Sequence, residues 1–295
     1  MRRAAAENMK TIKAEKIIDA HASHGESAFW DQNRERVVFC DCEKPQLWTY
    51  EDGERGPVIK RHELQFIPRA VLWSPSGGYF GISHHTVYRI NEDFQIMEVF
   101  REFDFTKTHE IFNDCRVGPD GGLYLGTFGA GEKDHFYHLS MDGRVTVLLE
   151  NVACSNGFAW TYDLKVLYYT DSVHRTVYSF DFSMTADGSP VLSGRKNVLH
   201  IEEGLPDGFC IDRDGNLWIA VWGGGCILKA DPRSGRILKK IPVPSRCPSS
   251  CVFGGSEMKD LFITTSRQWI KEGTEVPYGD CSGDMFMIKN AAGVT

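Results

Sequence analysis

The sequence predicts an all-β fold, a six-bladed β-propeller with four-stranded antiparallel blades. Three observations point there: a repeat, the same hairpin signal in each copy, and no helical pattern of useful length. Six segments share a polar residue, a mostly apolar run, a large apolar residue, a tight polar turn and a second apolar run. They read ESAFWDQNRERVVFCD, RAVLWSPSGGYFGIS, NDCRVGPDGGLYLGT, NGFAWTYDLKVLYYTD, DGFCIDRDGNLWIAV and SSCVFGGSEMKDLFITT. The fifth residue of each serves as an anchor: Trp30, Trp73, Val117, Trp160, Ile211 and Phe253, separated by 43, 44, 43, 51 and 42 residues. Spacings of that size match one propeller blade. A two-domain β-sandwich would not explain six units in one register.

Each segment is a hairpin, because turns such as PSGG, PDGG and RDGN carry the Gly, Asp, Asn and Pro that a tight reversal requires. A third β-rich run follows every hairpin (QLWTY, TVYRI, HFYHLS, TVYSFDF, CILKAD, MFMI). Five units add a fourth: PVIKRH, IMEVFREF, RVTVLLE, KNVLHI and ILKKIPV. The sixth unit ends with almost nothing left for a fourth strand, whereas KTIKAEKIID, residues 10–19, has strand character ahead of the first unit. The N-terminal strand is therefore expected to complete the last blade and remove its open edge. Residues 1–9 are expected to be a disordered extension, and 10–295 a single domain.

The chain has 295 residues, 42% of them hydrophobic, and 33 Lys plus Arg stand against 40 Asp plus Glu for a net charge of −7. A core can be built, and the overall field repels nucleic acid and anionic lipid. No apolar run reaches membrane-spanning length and the start lacks a secretory signal, so the reading is a soluble cytoplasmic protein, monomeric or a weak homodimer. Nine cysteines, most in apolar strand-like segments, read as buried free thiols. Cys40-x-Cys42 and Cys247-x3-Cys251 lack the spacing of a structural zinc site.

The inner strand of each blade lines the channel, so residues at its start face one mouth. Four positions before the anchors these are Glu26, Arg69, Asn113, Asn156, Asp207 and Ser249, none of them apolar. Any one alone would read as a turn or cap residue. Two carboxylates and two amide oxygens converging in one funnel would leave desolvated, repelling charge unless a cation compensates them. Hard oxygen ligands suit one divalent ion, Ca²⁺, Mg²⁺ or Mn²⁺.

Other motifs carry less. Asp212-x-Asp214-Gly215-Asn216 opens like a calcium loop but lacks the twelfth-position glutamate and sits on a hairpin turn. Gly223-Gly224-Gly225 precedes no helix, so it is no phosphate loop. The histidines, including His84-His85, His135 and His138, form no HExxH pattern and read as loop or solvent residues. Phe128 and Trp222 are candidate apolar walls of a pocket, although core is the commoner fate for such residues. No GxSxG elbow is present.

Gly25-Glu26-Ser27-Ala28-Phe29-Trp30, Phe112-Asn113-Asp114, Ser155-Asn156-Gly157 with Trp160, Pro206-Asp207-Gly208 and Phe253-Gly254-Gly255 resemble, in order and over nearly the whole chain, the motifs of the senescence marker protein (regucalcin) and gluconolactonase family. The resemblance implies a metal-dependent propeller that hydrolyses a small-molecule sugar lactone. It implies Glu26, Asn156 and Asp207 as ligands of one divalent metal, Zn²⁺ and Fe²⁺ joining the candidates, with Asp207 as general base. Asn113 would contact substrate or water on the metal. Two departures stand out. Sugar-lactonase relatives carry Arg where this chain has Ile111, and Arg69 at the start of blade two offers a cation from another direction to select an anionic or hydroxyl-rich substrate. In the loop GTFGAGEKDHF, Glu132 is expected over the mouth as a family glutamate is, one residue off register. Two alternatives stay open: a phosphotriesterase-like hydrolase of the diisopropylfluorophosphatase type, and a calcium-binding propeller without turnover.

Overall fold

Alternating apolar runs separated by tight turns can bury one face only by stacking sheet on sheet, and the repeat closes that stack into a ring. The computed structural model describes residues 13–271, 274, 277 and 279–293, which form six four-stranded antiparallel sheets. The inner strands are Gly25–Asp31, Ala70–Trp73, Ile111–Val117, Ser155–Trp160, Leu205–Ile211 and Pro248–Gly254, each in contact with the inner strands of both neighbouring blades. The fold is the six-bladed β-propeller that the repeat predicts.

Blade six is closed from both ends of the chain. Glu15–Ile18 pairs antiparallel with Met285–Ile288, Lys16 opposite Phe286, so the N-terminal segment supplies the outer strand. Among the described residues pairing begins at Glu15, and the expected extension 1–9, with residues 10–12 of the expected strand, lies outside them. Lys16 ties this strand down through ion pairs to Asp19 and to buried Asp284. The long interval of 51 residues before Ile211 also has a simple origin. Blade four extends its outer hairpin, Thr176–Met184 and Pro190–His200, around a turn at Gly188.

Six hydrophobic clusters hold the ring, one in each interface between neighbouring blades. Phe136, Phe158 and Tyr169 fill the interface of blades three and four, and Trp218, Phe253 and Phe286 that of five and six. The outer strands are largely exposed, as with Gly56–Glu63. Trp73 departs from the anchor pattern at 40% exposure. All nine cysteines are free, seven of them buried. Among the described residues no helix is long and apolar enough to cross a membrane, and the only helical element is a single 3-10 turn at Ala291–Gly293.

Asp212 settles the calcium-loop question. Its carboxylate accepts hydrogen bonds from the Asp214 and Asn216 amides and from Trp218 Nε1 at 2.9 Å, and pairs with Lys229. It is a turn residue with a fully engaged carboxylate.

Candidate active site

Pairing in five of the six inner strands is interrupted where the aligned polar residues sit. The register slips between Glu26 and Phe29, Phe112 and Cys115, Asn156 and Phe158, Pro206 and Phe209, and Pro248 and Ser250. A bulge re-aims the side chain beside it, here toward the channel mouth. Ser27 accordingly holds a left-handed φ of 55° next to Glu26. Blade two has no slip, and Arg69 immediately precedes its strand.

Glycine after Asn156 and Asp207 is dictated by crowding. A Cβ on Gly157 would stand 2.5 Å from the Asp207 carbonyl oxygen and 2.7 Å from the Phe209 nitrogen, and one on Gly208 would stand 2.9 Å from the Ser250 Cα. These glycines let blades four, five and six approach closely enough to share a mouth. Gly157→Ala is expected to destabilise the fold by about 1–3 kcal/mol, since backbone cannot move aside, and denaturant unfolding measures it. A loss below about 0.5 kcal/mol would mean that the blades tolerate separation there.

Carboxylates at the ends of two second strands fix the approach to the inner strands. Asp41 accepts from the Ser23 amide at 2.8 Å and the His24 amide at 3.0 Å, ahead of Glu26. Asp171 accepts from the Ala153 amide at 3.0 Å, ahead of Asn156.

Glu26, Arg69, Asn113, Asn156 and Asp207 all line one cavity of about 520 Å³, together with Phe128 and Trp222 as apolar walls. The sixth aligned residue, Ser249, is buried and spends its hydroxyl on the Gly25 carbonyl at 2.6 Å. Glu132 lies elsewhere: it is exposed, on the loop after Leu123–Phe128 with φ 63°, and does not line the cavity.

Hydrogen bonds decide which oxygens remain available. Asn156 donates Nδ2 to Ser172 Oγ at 2.9 Å, and Ser172 Oγ donates to the Pro206 carbonyl at 2.5 Å, which leaves Asn156 Oδ1 without a donor. Glu26 takes the Ser27 amide on Oε2 at 2.7 Å and keeps Oε1. Asn113 is engaged at both ends, Oδ1 by Arg69 Nη2 at 2.7 Å and Nδ2 on the Ser155 carbonyl at 2.9 Å.

The carboxylates are under electrostatic stress. Burial, with the Asp114 charge, pushes Glu26 up to about 8. Burial first, then Glu26 and Asp114, raise Asp207 well above the ordinary range. Asp114 is itself buried with Oδ2 unpartnered, and Arg116, which donates to the Phe209 carbonyl across the channel, is the cation that moderates it. Two buried acids at one mouth, with the charge of Asp114 close enough to raise both and free oxygens on Glu26 and Asn156, fit a hard divalent ion. Elsewhere Asp19, His21 and Asp284 also bring ligand atoms within 4.8 Å of one another, but Lys16 already pairs with both carboxylates.

The cavity includes residues that spacing did not single out: His24, Glu43, Cys154, Ser172, Leu205 and Gln268. His84 also lines it, against the default of a solvent histidine, and His138 is buried against Asp120 at 2.7 Å. Burial and then Arg69 push His24 down to about 3, and the same two causes lower His84, so both imidazoles are neutral.

Known proteins resemble this chain in sequence and in fold. Residues 24–267 match the family model described as the SMP-30/Gluconolactonase/LRE-like region. Regucalcin of Danio rerio is 31% identical over 270 residues, 88% of each chain. Among solved structures, a calcium-binding regucalcin of Agrobacterium tumefaciens is 18% identical with a TM-score of 0.82 over 95% of each chain. A gluconolactonase of Xanthomonas campestris is 20% identical with a TM-score of 0.75 over 97% of this chain and 92% of that one. The chain belongs to the SMP-30/gluconolactonase/LRE-like family.

Proposed function

We propose that the protein is a divalent-metal-dependent hydrolase that opens a sugar lactone to the aldonic acid. The observation that carries this reading is the shared mouth: Glu26 and Asp207, buried and raised in pKa, face a cavity with Asn156 Oδ1 held free by Ser172. The gluconolactonase among the structural neighbours agrees with lactone chemistry on this fold.

Glu26, Asn156 and Asp207 would hold the ion, whose chemistry when bound is to polarise the lactone carbonyl and take up the oxyanion's charge. Asp207 accepts the proton of the attacking water. Asn113, fixed by Arg69 and Ser155, presents its second lone pair or second N–H to the ring. Phe128 and Trp222 exclude water from the ring faces. Glu132 takes part only if its loop folds over the mouth when substrate binds.

A pH-indicator screen tests the proposal, using pentono-, hexono- and deoxysugar lactones with Ca²⁺, Mg²⁺, Mn²⁺, Zn²⁺ and Fe²⁺ in turn and a fluorophosphate in parallel. Metal-dependent acid release from at least one lactone is expected. Turnover of the fluorophosphate alone would replace lactonase by phosphotriesterase, and saturable metal binding with no turnover would make the protein a cation binder.

A further inference from the structure

Arg69 presents a charge that the protein leaves unmatched. It is only 5% exposed, yet among the described residues it forms no ion pair. Nε donates to the Phe112 carbonyl at 2.8 Å and Nη2 to Asn113 Oδ1 at 2.7 Å, both neutral acceptors, and the guanidinium lies 5.4 Å from the Phe128 ring centroid. Nη1 has no hydrogen-bond partner among the described residues. A buried guanidinium is ordinarily matched by an anion, because desolvation costs more than neutral hydrogen bonds return.

The field of Arg69 reaches Glu26 and Asp207, but among the described residues neither carboxylate forms an ion pair with it. Among the described residues, Arg69 is the only one lining the cavity with a permanent positive charge, and Ile111, on the same wall, is apolar. Glu43 lines the rim, but it is exposed and takes Gln268 Nε2 at 2.7 Å. Deeper in the channel Asp114 is moderated by Arg116. Glu26 and Asp207 together balance one divalent ion, so in the loaded cavity Arg69 is the charge left over.

We infer that Arg69 anchors a carboxylate carried by the substrate, so that the preferred lactone bears a pendant acid group rather than being a neutral aldonolactone. This rests on the lactonase reading. A carboxylate can take Nη1–H and the second Nη2–H as a fork, a geometry that Arg provides and Lys does not. A hydroxyl would satisfy a donor and leave the charge uncompensated. Nη2 keeps its bond to Asn113 meanwhile, so the same guanidinium would register the acid group and hold the ring contact.

The test compares a monolactone of an aldaric acid with the neutral aldonolactone of the same ring size. The acid lactone is expected to be favoured at least tenfold in kcat/KM. Arg69→Met should lower that preference by about tenfold to a hundredfold, mainly through KM. Arg69→Ser combined with Ile111→Arg should return part of it from the neighbouring blade. Calorimetric titration of wild-type protein with an aldarate and an aldonate gives a readout free of turnover, the dicarboxylate binding at least tenfold more tightly and the difference shrinking in Arg69→Met. Lactone turnover without preference for the acid form, or equal binding of the two acids by wild type, overturns the inference while leaving the lactonase reading intact. Absence of all lactone turnover with the binding difference preserved would remove the lactonase reading and keep the anion site. If Arg69→Met fails to fold, the two wild-type comparisons still decide.

Discussion

Asp207→Asn is expected to lower kcat for the best lactone by about 10² to 10⁴, the usual contribution of a positioned general base. The amide keeps the shape of the carboxylate and one oxygen toward the ion, so most of the loss should fall on kcat. Asp207→Ala should lose at least as much and bind the divalent ion more weakly as well. Glu26→Gln is the contrasting variant, since Glu26 is proposed as a ligand only, and its effect should be largest at low metal and shrink as metal is raised. Steady-state kinetics across a metal titration separates the two patterns. If Asp207→Asn keeps kcat within a factor of ten, Asp207 is not the base.

The fold was legible because it is periodic. A hairpin signal recurring from Trp30 to Phe253 determines blade number, and the missing sixth outer strand determines how the ring closes. The same register brought out Glu26, Arg69, Asn113, Asn156 and Asp207, since equivalent strand positions face one axis. Residues outside that register were not legible. His24 lies two positions before Glu26, and Ser172 follows the end of a second strand, sixteen residues after the Asn156 it orients. His84 comes from a turn between strands of blade two. Their positions are set by loop geometry, on which period has no hold. Glu132, on a loop outside the repeat, does not line the cavity. The bulges were hidden too, although glycine after Asn156 and Asp207 marked the close approach of the blades there.

Chelation is expected to abolish turnover, and the cation's effect on stability should depend on pH in one direction. In the metal-free protein, Glu26 is pushed up to about 8 from an ordinary 4.5, and Asp207 is raised as well, chiefly by burial. Acids raised on folding bind protons more tightly in the folded chain than in the unfolded one. They therefore cost the metal-free protein stability as pH climbs from the ordinary carboxylate range through their folded values. A divalent ion compensates their charges and removes that cost. The gap in Tm between loaded and metal-free protein should widen from about pH 4.5 to about 8, and other titrating groups cancel from the difference. Below pH 8, loading should also release protons, visible as buffer-dependent heat in calorimetry. At a free cation concentration of about a hundred times Kd, the stabilisation is about 2.7 kcal/mol, enough to read by thermal shift. A gap that stays constant from pH 5 to 8 would show that the cation does not sit on Glu26 and Asp207. Full activity in excess chelator would remove the ion from the reaction altogether.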